Sequence, residues 1–159
     1  MSHIIRTEVA IDAPAETVWS VLTDFAAYPE WNGYTRIKGT AREGDRLAVS
    51  PGPEAGRMPT FRPEVLRAGP AGEDDFELAW LGHLYVRGLF DGEHSFRVEA
   101  IDDHHCRLVQ SESFSGVLAG LLLRFVGEDT ERNFEAVNAA LKTRAESPAG
   151  AVDAPSAVA

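Results

Sequence analysis

The chain has 159 residues, 44% hydrophobic and 25% charged, with a formal charge of −10 from 25 Asp and Glu against 15 Lys and Arg. That length suits one domain with a single core, and an acidic chain without a run of lysines and arginines repels phosphate backbones and anionic membrane surfaces, which argues against a nucleic-acid partner. No apolar run reaches the roughly 20 residues of a membrane span, the opening MSHIIRTEVAI lacks the long apolar segment of a signal peptide, and Cys106 has no second cysteine to pair with, so a cytoplasmic protein is predicted.

IIRTEVAI alternates apolar and polar residues, which predicts a first strand with Ile5, Thr7, Val9 and Ile11 facing inward and Arg6 and Glu8 outward. DAPAETVWSVLTDF follows, with Pro14 suited to the first helical position, Glu16 in the first turn, and Val18, Val21, Leu22 and Phe25 on one side. This spacing predicts a short amphipathic helix, which AAYPEWNGY ends at Pro29 and Gly33. From residue 34 to 115 turn signals at REGD, SPGPEAGRMP, AGPAGEDD, FDGE and DDHH separate short strand-like runs. They predict an antiparallel meander of about six strands. Pro63, inside TFRPEVLRA, predicts an edge position or a bulge. After Gly116 the spacing turns helical: Leu118, Leu122, Phe125 or Val126, Phe134, Val137 and Leu141 form one apolar stripe of about 24 residues and ~36 Å. A single long helix across the sheet is expected, with Gly127 interrupting its middle. SPAGAVDAPSAVA has no bulky anchor beyond valine, so a disordered tail is expected over 147–159, after one domain over 1–146.

Strand parity raises a chemical question. In CRLVQSESF the side chains of Leu108, Gln110, Glu112 and Phe114 share one face, which places a glutamine and a glutamate in line with core residues. By the same alternation His94, Phe96, Val98 and Ala100 point inward on the preceding run, and Phe76, Leu78 and Trp80 on the one before that. If the hairpin between the last two strands pivots near Asp103, His94 lies opposite Glu112 with Cβ atoms ~5 Å apart. A two-residue slip sets His94 against Gln110 or Phe114 instead. HHC at 104–106 offers metal-type ligands, but consecutive strand residues cannot converge on one ion, and it reads as a hairpin tip. HExxH, CxxC, GxxxxGK[ST] and GxGxxG motifs are absent, so metal hydrolase, zinc, P-loop and Rossmann readings have no support and no metal site is predicted.

Three segments carry a family likeness. IDAPAETVWSVLTDFAAYPEWN resembles the opening of the START-like (SRPBCC) superfamily; FDGEHSFRVEAI and CRLVQSESFSGVL resemble the sixth and seventh strands of its polyketide cyclase/dehydrase-type branch; NFEAVNAALKTRAE resembles the end of its last helix. The resemblance implies an α+β helix-grip fold: two short helices after the first strand, then a curved seven-stranded antiparallel sheet around a long C-terminal helix. It also implies a cavity between sheet and helix that takes a hydrophobic, aromatic or polyketide-like small molecule and needs no cofactor.

On that implication His94 and Glu112 are the candidate catalytic pair, exchanging protons with a carbonyl or phenolic ligand. The plainer alternative is that they bond each other and stiffen the sheet. Gln110 and Trp80 would orient the ligand, with Phe76, Phe96 and Phe114 as apolar walls. Tyr85 and Arg87, in LGHLYVRGL, would stand at the cavity mouth, and Asn32 would organise the turn of YPEWN. The expected function is cofactor-independent cyclisation or dehydration. A non-catalytic carrier or sensor is the second reading and a cochaperone-like interaction module the third, although the outward-facing positions predict no sizeable exposed apolar patch.

Overall fold

Pairing of alternating apolar strands builds the frame, which a computed structural model describes for residues 2–147 apart from the side chain of Val126. His3–Ile11 forms β1, Glu64–Pro70 β4, Phe76–His83 β5, Asp91–Asp102 β6 and His105–Ser115 β7. These five make one antiparallel sheet in the order β1-β7-β6-β5-β4. Thr35–Lys38 (β2) and Ala48–Pro51 (β3) form a separate two-stranded sheet. The expected seven-stranded sheet is therefore divided, and proline supplies the reason. Arg46 still faces Glu64 and Val49 faces Phe61 in one antiparallel register, and Leu47 N–H donates to Pro63 O at 2.9 Å. Pro63 has no N–H to return that bond, so the ladder between the two sheets is interrupted there.

The first helix, α1, runs over Ala15–Thr23 and turns Val18, Val21 and Leu22 into the core. Pro29 does not end it. A 3-10 turn at Phe25–Ala27 leads into a second short helix, α2 (Tyr28–Trp31), in whose first turn Pro29 sits, a position where its missing N–H costs nothing. FDGE is likewise not a turn: Asp91, Gly92 and Glu93 belong to β6, and the chain reverses over residues 84–90 instead. At the other end of β6 the reversal falls at Asp103 and His104, the predicted hairpin tip.

The C-terminal helix, α3, spans Ala119–Glu146 and packs on β1, β7 and α1. Its stripe holds only over the second half. Phe134, Val137 and Leu141 are buried, whereas Phe125 is 76% exposed. Phe125 shares an outer helical face with Leu121, four residues earlier, and Leu121 and the neighbouring Val117 are also exposed. The start of the helix thus carries solvent-facing apolar side chains that strand parity did not predict. The expected tail beyond Ser147 lies outside the described residues.

One core joins the layers: Val18 and Leu22 of α1, Leu78, Val98 and Leu108 of the sheet, and Leu141 of α3 are all essentially inaccessible. Thr7 on β1 adds a polar tie, because Asn138 of α3 donates from Nδ2 to Thr7 Oγ1 at 2.9 Å. Leu141 is the deepest apolar anchor of α3 on the sheet. Replacing Leu141 with Ala should lower the free energy of unfolding by about 2–5 kcal/mol, read as a lower midpoint in urea with an unchanged slope.

Candidate functional site

The β6–β7 register sets His94 opposite Glu112, Phe96 opposite Gln110 and Val98 opposite Leu108, as a hairpin pivoting near Asp103 requires. Trp80 on β5 faces His94 from the other side. Since period-two alternation sends all of these side chains to the same face, aromatic, imidazole, amide and carboxylate groups converge there. His94 stacks on Trp80 with ring centroids 5.0 Å apart, and the edge of Phe134 from α3 closes on it at 4.8 Å. Phe96 completes the enclosure at 4.6 Å.

Hydrogen bonds give this cluster a direction. Gln110 Nε2 lies 2.9 Å from His94 Nε2. An amide nitrogen only donates, so His94 Nε2 accepts and its proton resides on Nδ1. Nδ1 lies 3.4 Å from Glu112 Oε2, within ion-pair reach but without a hydrogen bond between them. Gln110, His94 and Glu112 thus stand in a row, and the carboxylate is its outer end: the Glu112 side chain is 20% exposed against 11% for His94. Gly92, across from Phe114, is what makes room. A Cβ built there would stand 2.7 Å from Glu112 Oε1.

These residues form one wall of a cavity of about 240 Å³ between the sheet and α3. Trp80, Phe96 and Phe114 line it from the large sheet, Phe90 from the reversal between β5 and β6, Ile37 and Val49 from the small sheet, and Phe134 and Val137 from α3. Met58 and Phe61, from the proline-rich segment between β3 and β4, face it as well. Tyr28 also contributes, but its hydroxyl is committed to Leu22 O at 2.6 Å. Burial, with a smaller contribution from Asp24, pushes the phenol far above its ordinary range, so it is a neutral wall rather than a proton donor.

Of the residues singled out from sequence, His94, Glu112, Gln110, Trp80, Phe96, Phe114 and Asn32 all line the cavity. Asn32 does so while organising its turn: its Oδ1 accepts from the backbone N–H of Tyr34 and Thr35 at 2.9 and 3.0 Å. Phe76 does not line it. It stacks on Trp19 at 5.2 Å, at the end of β5 that lies under α1, while the cavity occupies the Trp80–His83 end. Tyr85 and Arg87 also fall outside the lining. Tyr85 is 84% exposed with φ of 64°, and its neighbours Leu84 and Phe90 take the lining positions instead. Among the described residues, no cluster of His, Cys, Asp and Glu has the makings of a metal site.

Four buried side-chain atoms have no hydrogen-bond partner among the described residues: Trp31 Nε1, Asn32 Nδ2, Gln110 Oε1 and Asn138 Oδ1. Two of them, an amide N–H₂ of Asn32 and the amide oxygen of Gln110, belong to cavity-lining residues. Buried polar groups are ordinarily paired, and these two belong to residues lining an apolar hollow that is also bordered by an ionisable pair.

Comparison with known proteins agrees with this architecture. Residues 2–146 match the family described as polyketide cyclase / dehydrase and lipid transport. The chain belongs to that family, the polyketide cyclase-type branch of the START-like superfamily. No curated protein matches it in sequence. Among solved structures, the Zhui aromatase/cyclase from Streptomyces sp. R1128 is similar with a TM-score of 0.67 at 18% identity, over 94% of this chain and 99% of that one. Norcoclaurine synthase from Thalictrum flavum, in complex with dopamine and hydroxybenzaldehyde, gives 0.62 at 15% identity over 90% and 86%. A START superfamily protein from Mycobacterium smegmatis gives 0.58 at 20% identity over 89% and 98%. These likenesses establish the helix-grip fold, and the cavity lies between its sheet and α3.

Because the atom nearest a Cβ at Gly92 is the end of a flexible side chain rather than backbone, Gly92→Ala should keep the fold and displace the carboxylate. The expected result is a melting temperature close to the parent's with the His94 imidazole NMR signals shifted; unchanged imidazole signals would mean that Glu112 is not held against the ring.

Proposed function

We propose that the cavity binds a compact carbonyl compound with aromatic character and that Glu112 moves a proton on it, promoting ring closure or dehydration. The observation that carries this reading is the carboxylate at the cavity wall, with its inner oxygen 3.4 Å from His94 Nδ1 and with space for its outer oxygen left by Gly92. A volume of about 240 Å³ lies just below the usual range of small-molecule pockets, roughly 300–1,000 Å³. That favours one or two rings over an extended chain, and the dopamine and hydroxybenzaldehyde bound by norcoclaurine synthase are molecules of that size.

In the proposed step Glu112 takes a proton from the carbon next to the ligand carbonyl; the C–H pair becomes a C=C bond and the carbonyl π pair moves onto oxygen to give an enolate. The enolate carbon then forms the new C–C bond at a second carbonyl, whose π pair moves onto its oxygen and takes the proton back from Glu112, or the enolate breaks the C–O bond of a β-hydroxyl, which takes that proton and departs as water. His94 acts through Glu112: its Nδ1–H steadies the carboxylate, and Gln110 fixes which ring nitrogen carries the proton. If the ring gains a second proton, half a turn of the Gln110 amide presents Oε1 to it, so one side chain serves both states. The aromatic wall orders the ligand and excludes water, which strengthens each of these contacts.

Mass spectrometry of small molecules released from the purified protein identifies the ligand, and Glu112→Gln then separates catalysis from carriage. Turnover should fall by about 10²–10⁴-fold, the usual contribution of general acid–base catalysis, with ligand affinity nearly unchanged. A ligand that binds both forms equally and leaves both unaltered would establish a carrier instead.

A further inference from the structure

Basic residues are scattered along the sequence, yet strand pairing gathers three of them on the outer face of the small sheet. Lys38 of β2 pairs with Ala48 of β3. The register that sets Arg46 against Glu64 and Val49 against Phe61 places Arg62 on the far side of Ala48. Arg46, two residues before Ala48, shares its face. Together they rim a hollow floored by Ala48, with the hydroxyls of Ser50 and Thr60 beside them. Arg46 is steadied by a long bond from Nη1 to Arg62 O, 3.3 Å.

What distinguishes this cluster is its lack of compensation. On the large sheet Arg67 is neutralised by Glu77 and Glu93, Arg97 by Asp75 and Arg107 by Glu99, and Arg36 on β2 spends its guanidinium on the backbone carbonyls of Asn32 and Thr35. Lys38, Arg46 and Arg62 make no ion pair among the described residues, although the chain carries 25 acidic residues to 15 basic ones. Glu64 lies opposite Arg46 on the same face, yet makes no ion pair with it among the described residues. Three cations around an alanine floor repel one another unless an anion sits among them.

We propose that this hollow binds the phosphate group of a small soluble molecule. Two or three cationic donors with flanking hydroxyls match a dianion that accepts several charge-assisted hydrogen bonds. A lipid headgroup is the poorer match. None of the large exposed apolar side chains lies on β2, β3 or residues 60–65, so the face has nothing to insert into a bilayer, and a net charge of −10 opposes approach to an anionic membrane. The hollow and the cavity lie on opposite faces of the same strands, from which Ile37 and Val49 point into the cavity, and Ser50 borders both.

Titration of the full chain with inorganic phosphate at low ionic strength, followed by backbone amide NMR shifts, tests this. Saturable shifts centred on Ala48 and its neighbours, lost as chloride is raised, are expected. The Lys38→Ala, Arg62→Ala double variant, in which both altered side chains are exposed, should bind at least about tenfold more weakly. Glu112→Gln should bind phosphate as the parent does. Shifts that do not saturate, that centre elsewhere, or that persist undiminished in the double variant would overturn the proposal, as would binding to phosphatidylglycerol vesicles without binding to phosphate. The wild-type shift map decides the question even if the double variant fails to fold.

Discussion

The chemistry of this protein depends on the register of one hairpin. Because side chains alternate strictly along a strand, a one-residue slip of β7 against β6 would send Gln110 and Glu112 to solvent and bring Arg107 into the core. The register is held at several places at once. Val98 and Leu108, an opposed pair, are completely buried, and Arg107 meets Glu99 on the outer face. At the tip, Asp102 accepts from His104 N–H at 2.8 Å and meets His105 Nδ1 at 2.7 Å. The Asp102 carboxyl is thereby held below its ordinary range, chiefly by the backbone bond from His104 and then by the His105 side chain. Packing and turn chemistry agree on one pairing, and the site inherits its geometry from that agreement.

A second constraint explains why there is a cavity at all. Five strands wound around one helix enclose more volume at one end than α3 can fill, and the excess appears where β5, β6 and β7 reach beyond Phe134. Near the α1 end the same space is packed solid by Trp19 on Phe76 and by Val18 and Leu22. At the other end the small sheet and its proline-rich extension arch over the opening and supply Ile37, Val49 and Phe61. Pro63 has a double part in this. It interrupts the ladder that would have fused the two sheets, and it lines the cavity itself.

How much of this could be read from sequence varied with the range of the interaction. Alternation and helical spacing are local, so the strands, the first short helix, the long helix and the inward set on β6 and β7 were all legible, whereas the second short helix followed only from the family likeness. Gly92 was not, because a glycine after an aspartate signals a turn, whereas here it answers to a carboxylate on the neighbouring strand. Phe125 was misplaced because helical spacing gives the angle of a side chain about the axis but not how far along the axis the sheet extends beneath it. Phe76 had the right parity and the wrong end of its strand. Lys38, Arg46 and Arg62 were invisible as a group for the same reason: they meet only after three separate strands pair.

The unpaired oxygen of Gln110 ties these observations to ligand choice. A buried acceptor without a partner costs about 1–3 kcal/mol, and the fold carries that cost at a residue whose other end is fixed on His94. A purely apolar occupant would leave the debt in place. A ligand with a hydroxyl or enol aimed at Gln110, and a carbonyl aimed at the free N–H of Asn32, would cancel it at both walls. Sites of this kind discriminate strongly, because an analogue lacking the polar group leaves the protein's own groups unsatisfied as well as losing a bond. Apolar walls set the size of what enters, while these two amides set its pattern of donors and acceptors. On the proposed reading, selectivity would rest less on the aromatic surface than on two of the four buried polar atoms left without partners, Gln110 Oε1 and Asn32 Nδ2.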